Sequence, residues 1–274
     1  MLKSLQKAFK VKEVRDRLLY TFMMLVVIRI GCCLPIPGVD PSYLHDFFSN
    51  LQSSGMGFFN AITGGSFSSM SIFALSITPY ITSSIIMQLL TIAIPKLEEM
   101  QKDGEDGRKK IAEYTRYLTV GLALFESCAM AVGLGGKGLL LEDHRNVWGY
   151  LTVVAAMTAG SALLMWIGER ITDNGVGNGI SIVLLINIVS GTPQDMMTLY
   201  ERFMAGKSVA VATVACIIVL AIIIAIFVFV IILNDAERRI PVQYSKKMQG
   251  RRMIGGQSTY IPLKVNTANV IPVI

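Results

Sequence analysis

Charge is scarce in this chain. Asp, Glu, Lys and Arg make up 16% of its 274 residues, while 53% are hydrophobic; soluble domains carry roughly 25% charged residues. An ordinary water-soluble globule is excluded on that ground. Histidine is scarcer still: His45 and His144 are the pair, and neither lies near a cysteine cluster. The four cysteines, Cys32, Cys33, Cys128 and Cys216, form no CxxC and have no metal-ligand spacing. Each sits in or beside an apolar stretch, where a thiol behaves as a small hydrophobe. No metal and no cofactor are therefore expected. The apolar stretches also lack a paired Ser and Lys, two Asp, or an HExxH. An intramembrane protease has no catalytic pair there, and no enzymatic chemistry is expected. No internal repeat is visible.

Long apolar runs take the place of charge. Residues 72–94, 147–167 and 209–233 contain no charged side chain. At about 1.5 Å per residue, each run reaches across a hydrocarbon core of about 30 Å. The run 18–34 is interrupted by Arg29, and the run 114–134 by Arg116 and Glu126. A sixth, 178–197, is continuously apolar only over 180–189 and needs its flanks to reach both interfaces. A seventh opens at 268. The expected fold is all-α: a multi-pass transmembrane helix bundle, one membrane domain over 1–274, with an external segment at 49–70 and a basic loop at 235–267.

The net charge of +6 is placed, not spread. With the N-terminus in the cytoplasm and the spans alternating, nineteen Lys and Arg fall in cytoplasmic pieces against four in external loops. That asymmetry sets the orientation. The basic start, with Lys3, Lys7, Lys10, Lys12, Arg15 and Arg17 before an apolar run, mimics a secretory signal. Several spans follow it, however, and PIPG at 35–38 makes a poor cleavage site, so a retained first helix is expected. Residues 1–17 alternate basic and apolar positions, which suits a helix lying on an anionic leaflet.

Several local features invite two readings each. MGFFNAITGG at 56–65 is too short to span, and serves either as an interfacial anchor or as a segment folded back into a cavity. Pro79 should kink the second span, whose stripe of Ser76, Thr78, Thr82, Ser83, Ser84 and Gln88 suits interhelical bonding or one wall of a pore. Glu126 is a lone acid at depth, with Arg29 as its candidate partner. GVGNGIS at 175–181 has the glycine spacing of a nucleotide loop but no preceding strand and no GK[ST]. A tight turn between helices fits better, with Asn178 and Ser181 available to cap the next one. In the tail, β-formers at 240–244 and 259–265 flank a Gly and Arg-rich turn, the pattern of a β-hairpin. Its paired charges, Arg238-Arg239, Lys246-Lys247 and Arg251-Arg252, are either plain positive-inside charge or a docking surface for something anionic.

Four stretches, in order along nearly the whole chain, carry a resemblance: SIFALSITPYITSSIIMQLL at 71–90, YTRYL at 114–118, GERIT with GVGNGIS at 168–181, and ERRIPVQY through GGQSTYIPLKVN at 237–266. Together they resemble the SecY family, the channel subunits of the bacterial protein translocase. The resemblance implies a channel that passes unfolded polypeptides across the bacterial cytoplasmic membrane and releases apolar segments into the bilayer. It makes the external segment a plug, here Phe58, Phe59, Ala61, Ile62 and Thr63. It places a pore ring on Ile77, Ile81, Leu184 and Ile188, with Ile274 from the seventh span. Each pair at i, i+4 lies on one helical face, and a narrow apolar collar resists ion leak by dewetting. The polar stripe of the second span then belongs to a lateral gate. The implied partners are SecE and SecG, the motor ATPase SecA or the ribosome on the basic loop, and signal-bearing polypeptides. The family has ten spans, so this chain matches its first part, a truncated channel. Asn269 stands where the family usually has glycine. A secondary transporter would share the broken helices and buried polar groups, but it needs a substrate site at mid-depth, and only Glu126 and Arg29 are on offer.

Overall fold

The computed structural model describes residues 11–40, 60, 62–135, 140–141, 145–242, 247–249, 252–254 and 259–266. Two compact units divide the chain, Met1–Gln194 and Asp195–Ile274. Most described residues belong to long α-helices, so the fold is a helix bundle with a small β appendage.

In the first unit, α1 (Lys12–Cys33) begins before its apolar run and stops where Leu34 turns extended ahead of Pro35, as residues preceding proline do. Residues 63–77 follow as a succession of turns. Helix α2 (Thr78–Ala93) starts only after them, so the expected second span over 72–94 is shorter than its apolar run. Pro79 consequently does not kink a helix. It occupies the first turn of α2, where a missing N–H leaves nothing unpaired. Ile94 is extended before Pro95, and α3 (Pro95–Lys102) leaves α2 at a bend of 102°. Helix α4 (Glu105–Leu134) and α5 (Val147–Asn174) complete the bundle, followed by α6 (Gly179–Phe203), which runs on into the second unit. By length and composition α5, α6 and α7 (Val209–Asp235) can each cross a membrane; α2 and the charged α3 reach that length only when counted together across their bend. In α1 and α4 the apolar stretch shares its helix with charged turns.

Two clusters hold the first unit together. Phe67, Met70 and Leu75 from the turn segment pack on Ala123 and Ala131 of α4 and on Val153 and Met157 of α5. Ile28 and Cys32 of α1 meet Phe73, Ile77, Leu164, Ile167 and Ile171, with Val183 of α6. Lipid tails are as apolar as leucine, so helices in a bilayer associate through close packing and interhelical hydrogen bonds, not through water exclusion. Both devices are present. Gly160 of α5 lies directly against the Ile72 carbonyl, leaving no room for a Cβ. Ser83 bonds Thr119 at 2.6 Å, joining α2 to α4, and Ser127 bonds Thr158 at 3.0 Å, joining α4 to α5.

In the second unit no residue of the apolar stretch of α7 is fully buried. An apolar groove of about 460 Å³ lies between the end of α6, at Met196, Tyr200 and Met204, and Leu220, Ile224 and Phe227 of α7. Beyond it β1 (Glu237–Val242) pairs antiparallel with β4 (Thr259–Lys264), with Ile240 opposite Ile261. A shorter pair, β2 (Lys247–Gln249) and β3 (Arg252–Ile254), lies between them in sequence. β1 starts three residues before the run of β-formers at 240–244 and takes in Arg238 and Arg239, both exposed on the open ribbon.

Candidate functional site

The turn segment 63–77 folds into the bundle between α1 and α6. Its sequence is rich in Gly and Ser, which supply left-handed turns and local side-chain bonds. Asn60 organises its entry: its carbonyl accepts from Gly65 N at 3.0 Å and from Thr63 Oγ1 at 3.1 Å, and its Oδ1 accepts from Ser68 N at 3.1 Å. The Ser68 and Ser69 hydroxyls both donate to the Gly65 carbonyl. Thr63, Ser66, Phe67 and Met70 are buried. Backbone bonds from Ile36 N to Met70 O and from Ile72 N to Leu34 O, both 3.0 Å, tie the segment to the exit of α1.

A second set of bonds joins the segment to α6. Gly64 has φ +66°, and a Cβ there would stand 2.7 Å from the Asn187 carbonyl. Arg29 of α1 donates from Nη1 to the Gly64 carbonyl at 3.3 Å and to Ser190 Oγ at 3.0 Å. Ser190 Oγ in turn donates to the Asn187 carbonyl at 2.7 Å. Asn187 Nδ2 donates to Ser76 Oγ at 3.0 Å, with both residues buried. Arg29 therefore binds the segment and α6, and not Glu126, for which no ion pair exists among the described residues. Sequence reasoning missed this set. One signal was available, because Asn187 is the sole amide side chain within 180–189.

Of the residues assigned to the pore ring, Ile77, Ile81 and Leu184 belong to the same apolar cluster. Ile77 is wholly buried in it, Ile81 and Leu184 are half-buried at its edge, and Ile188 is 51% exposed. Ile274 lies outside the described residues. Of the plug residues, Ile62 is half-buried and Thr63 buried; Phe58, Phe59 and Ala61 lie outside the described residues. The glycine-spaced stretch is a helix-to-helix turn: Asn178 Oδ1 accepts from Ile180 N at 3.0 Å and caps α6, while Thr172 Oγ1 accepts from Gly179 N at 2.9 Å. On the basic hairpin, Arg239 lies over the Tyr260 ring, 4.7 Å from its centroid, and Arg238 is exposed. The backbone places Lys247 in β2 and Arg252 in β3. Lys246 and Arg251 lie outside the described residues.

Arg116 Nε donates to Glu169 Oε1 at 2.8 Å, linking α4 to α5. Among the described residues no group of His, Cys, Asp or Glu could hold a metal ion.

A multi-pass α-helical membrane protein with a turn segment folded into its bundle is the class these features define. Comparison with known proteins is specific. The family profile for SecY matches residues 71–274. The protein translocase subunit SecY of Halalkalibacterium halodurans is 43% identical over 277 residues, covering 100% of this chain and 64% of that protein. The subunit of the same name from Escherichia coli is 42% identical over 266 residues, covering 96% of this chain and 59% of its own. The chain belongs to the SecY family. It spans a little under two thirds of the length of these relatives. A solved structure of SecY, described by a plug domain that stabilises the closed state of the translocation channel, superposes with a TM-score of 0.51 at 17% identity, over 91% of this chain and 52% of its own. At that identity the likeness concerns the fold alone.

Proposed function

We propose that the chain is the channel-forming subunit of a protein translocase, which passes unfolded polypeptides across the membrane and releases apolar segments sideways into it. The observation that carries this is 43% identity across the whole chain to a relative named as a translocase subunit. In this reading Phe58 to Thr63 belong to the plug. Ile81, Leu184 and Ile188, with Ile274, line the collar, while the fully buried Ile77 supports it. The N-terminus faces the cytoplasm of a bacterial cell, a placement the charge asymmetry supports, and the protein sits in the inner membrane with SecE and SecG. The ribosome or SecA docks on the hairpin loop through Arg238, Arg239, Lys246, Lys247, Arg251 and Arg252. Such contacts release counterions, so docking weakens steeply with salt. The channel has no catalytic chemistry of its own.

A photoreactive side chain tests the proposal directly. Placed at Leu184 in inverted membranes, it is expected to crosslink to a secretory precursor arrested in transit. The same group at Ile217, exposed on α7, is expected to crosslink to lipid. An arrested precursor that never crosslinks from Leu184, Ile81 or Ile188 overturns the assignment of the conduit.

A further inference from the structure

We infer that Arg29, Ser190 and Asn187 form a polar latch that fastens the segment 63–77 to α6 and sets how readily that segment leaves the bundle. The consequence for sealing rests on the channel function proposed above; the latch itself does not.

Two anchor points define it, one near each end of the segment. At the first, the Arg29 guanidinium bridges the Gly64 carbonyl and Ser190 Oγ, and Gly64 is close enough to the Asn187 backbone that no side chain fits. At the second, Asn187 Nδ2 holds Ser76 Oγ. The Ser190 to Asn187 bond joins the two. A continuous path of hydrogen bonds thus runs from Gly64 through Arg29, Ser190 and Asn187 to Ser76, and the segment itself closes the ring.

The held conformation is strained. Ser76 has φ +53° and Met70 φ +41°, a backbone region that costs L-residues about 1–2 kcal/mol each. Strain of this kind persists only where surrounding contacts impose it. Here the apolar clusters around Met70 and Phe73 hold the middle of the segment, while its two ends are held by polar bonds, of which those at Asn187 are buried. Arg29, by contrast, lies on the exposed side of α1, so water or an incoming polar chain can replace its two bonds without breaking the core. The weakest link is therefore the exposed cation, which is where a latch has to be reached. The strain at Ser76 is held through Asn187 and that at Met70 by its apolar neighbours, so release of Arg29 frees the Gly64 end first.

Amide hydrogen exchange of the peptide covering 60–71, in the full chain in lipid nanodiscs, reads the latch without an added probe. Ser190→Ala and Arg29→Gln are each expected to speed exchange at Gly65, Ser66 and Ser69 about tenfold, the loss of one charged hydrogen bond. The double variant is expected to go little further, because both changes cut the same path. Arg29→Lys is expected to restore most of the protection. Gly64→Ala should act alike without touching Arg29, and Gly65→Ala is its control: Gly65 has φ +80°, but a Cβ there meets nothing within 4 Å. Ion conductance of the same variants in planar bilayers is the second readout and is expected to rise with exchange. Unchanged exchange in Ser190→Ala and Gly64→Ala, or fully additive effects of Arg29→Gln and Ser190→Ala, overturns the latch. Faster exchange with unchanged conductance supports the latch and counts against the sealing role proposed for the segment.

Discussion

Helices α5 and α7 have nearly the same length, 28 and 27 residues, and opposite surroundings. In α5, 44% of the central apolar stretch is buried inside the chain; in α7 none is. The difference follows from side-chain size. Helix α5 carries Gly160, Ser161 and Gly168 on its buried face, and these let a neighbouring backbone come into contact. Helix α7 is mostly Val, Ile, Leu and Phe; it has alanines but no glycine or serine, so it offers less room for the close approach of a neighbouring backbone. In a bilayer, apolarity does not bring helices together; small residues and polar pairs do. The more hydrophobic helix is the less packed one for that reason.

The largest effect is expected from filling the α5 contact. Gly160→Leu drives a side chain into the Ile72 carbonyl and should lower stability by about 3 kcal/mol or prevent folding, as overpacking does. Ala221→Leu on α7 should stay within about 0.5 kcal/mol. Thermal aggregation of the two variants in detergent makes the comparison, and equal midpoints would break it. Next comes polar pairing. Asn187→Ala strands the buried Ser76 hydroxyl and is expected to cost about 1–3 kcal/mol, whereas Cys216→Ala on the exposed face of α7 should be near neutral by the same measurement.

Smaller effects belong to the surface. Arg239→Ala removes the cation over Tyr260 and should loosen the β1 to β4 ribbon by about 0.5–1 kcal/mol. Faster exchange of the amides at 259–264 is the readout, with Arg238→Ala as the matched change that has no ring to lose. The least effect is at α3, where the Lys102 ammonium donates to Glu98 at 2.6 Å and holds its carboxyl below the usual glutamate range. A depressed carboxyl contributes its support above the unfolded-state range, and that support fades as pH falls through the lower folded value. Acidification should therefore speed exchange in α3, and Lys102→Met should remove the pH dependence. An unaltered pH profile in that variant would assign the effect elsewhere.

Helix existence was legible because apolar runs are long and nearly free of charge. Helix boundaries were less so. Phe73, Ala74 and Leu75 suit a helix or a core equally, so they do not announce that the run 72–94 begins in turns. The clue lay in Pro79, whose natural place is a first turn. The hairpin was legible from its β-formers, but its register depended on pairing Arg239 with Pro262. The apolar residues Ile77, Ile81 and Leu184 came to notice through resemblance, and their graded burial only through packing. Arg29 was noticed as a lone cation. Its partners Gly64 and Ser190 lie 35 and 161 residues away, beyond the reach of any local pattern.

What the sequence determined by itself is the apolar character of the spans and the charge asymmetry on which the proposed orientation rests: hydropathy is a sum over residues, and the asymmetry is a count, so neither requires a fold. What only the tertiary structure decided is which polar groups answer each other. Hydrogen bonds require atoms within about 3 Å, and residues as distant in the chain as Arg29, Ser76 and Asn187 reach that distance only after α1, the turn segment and α6 have packed.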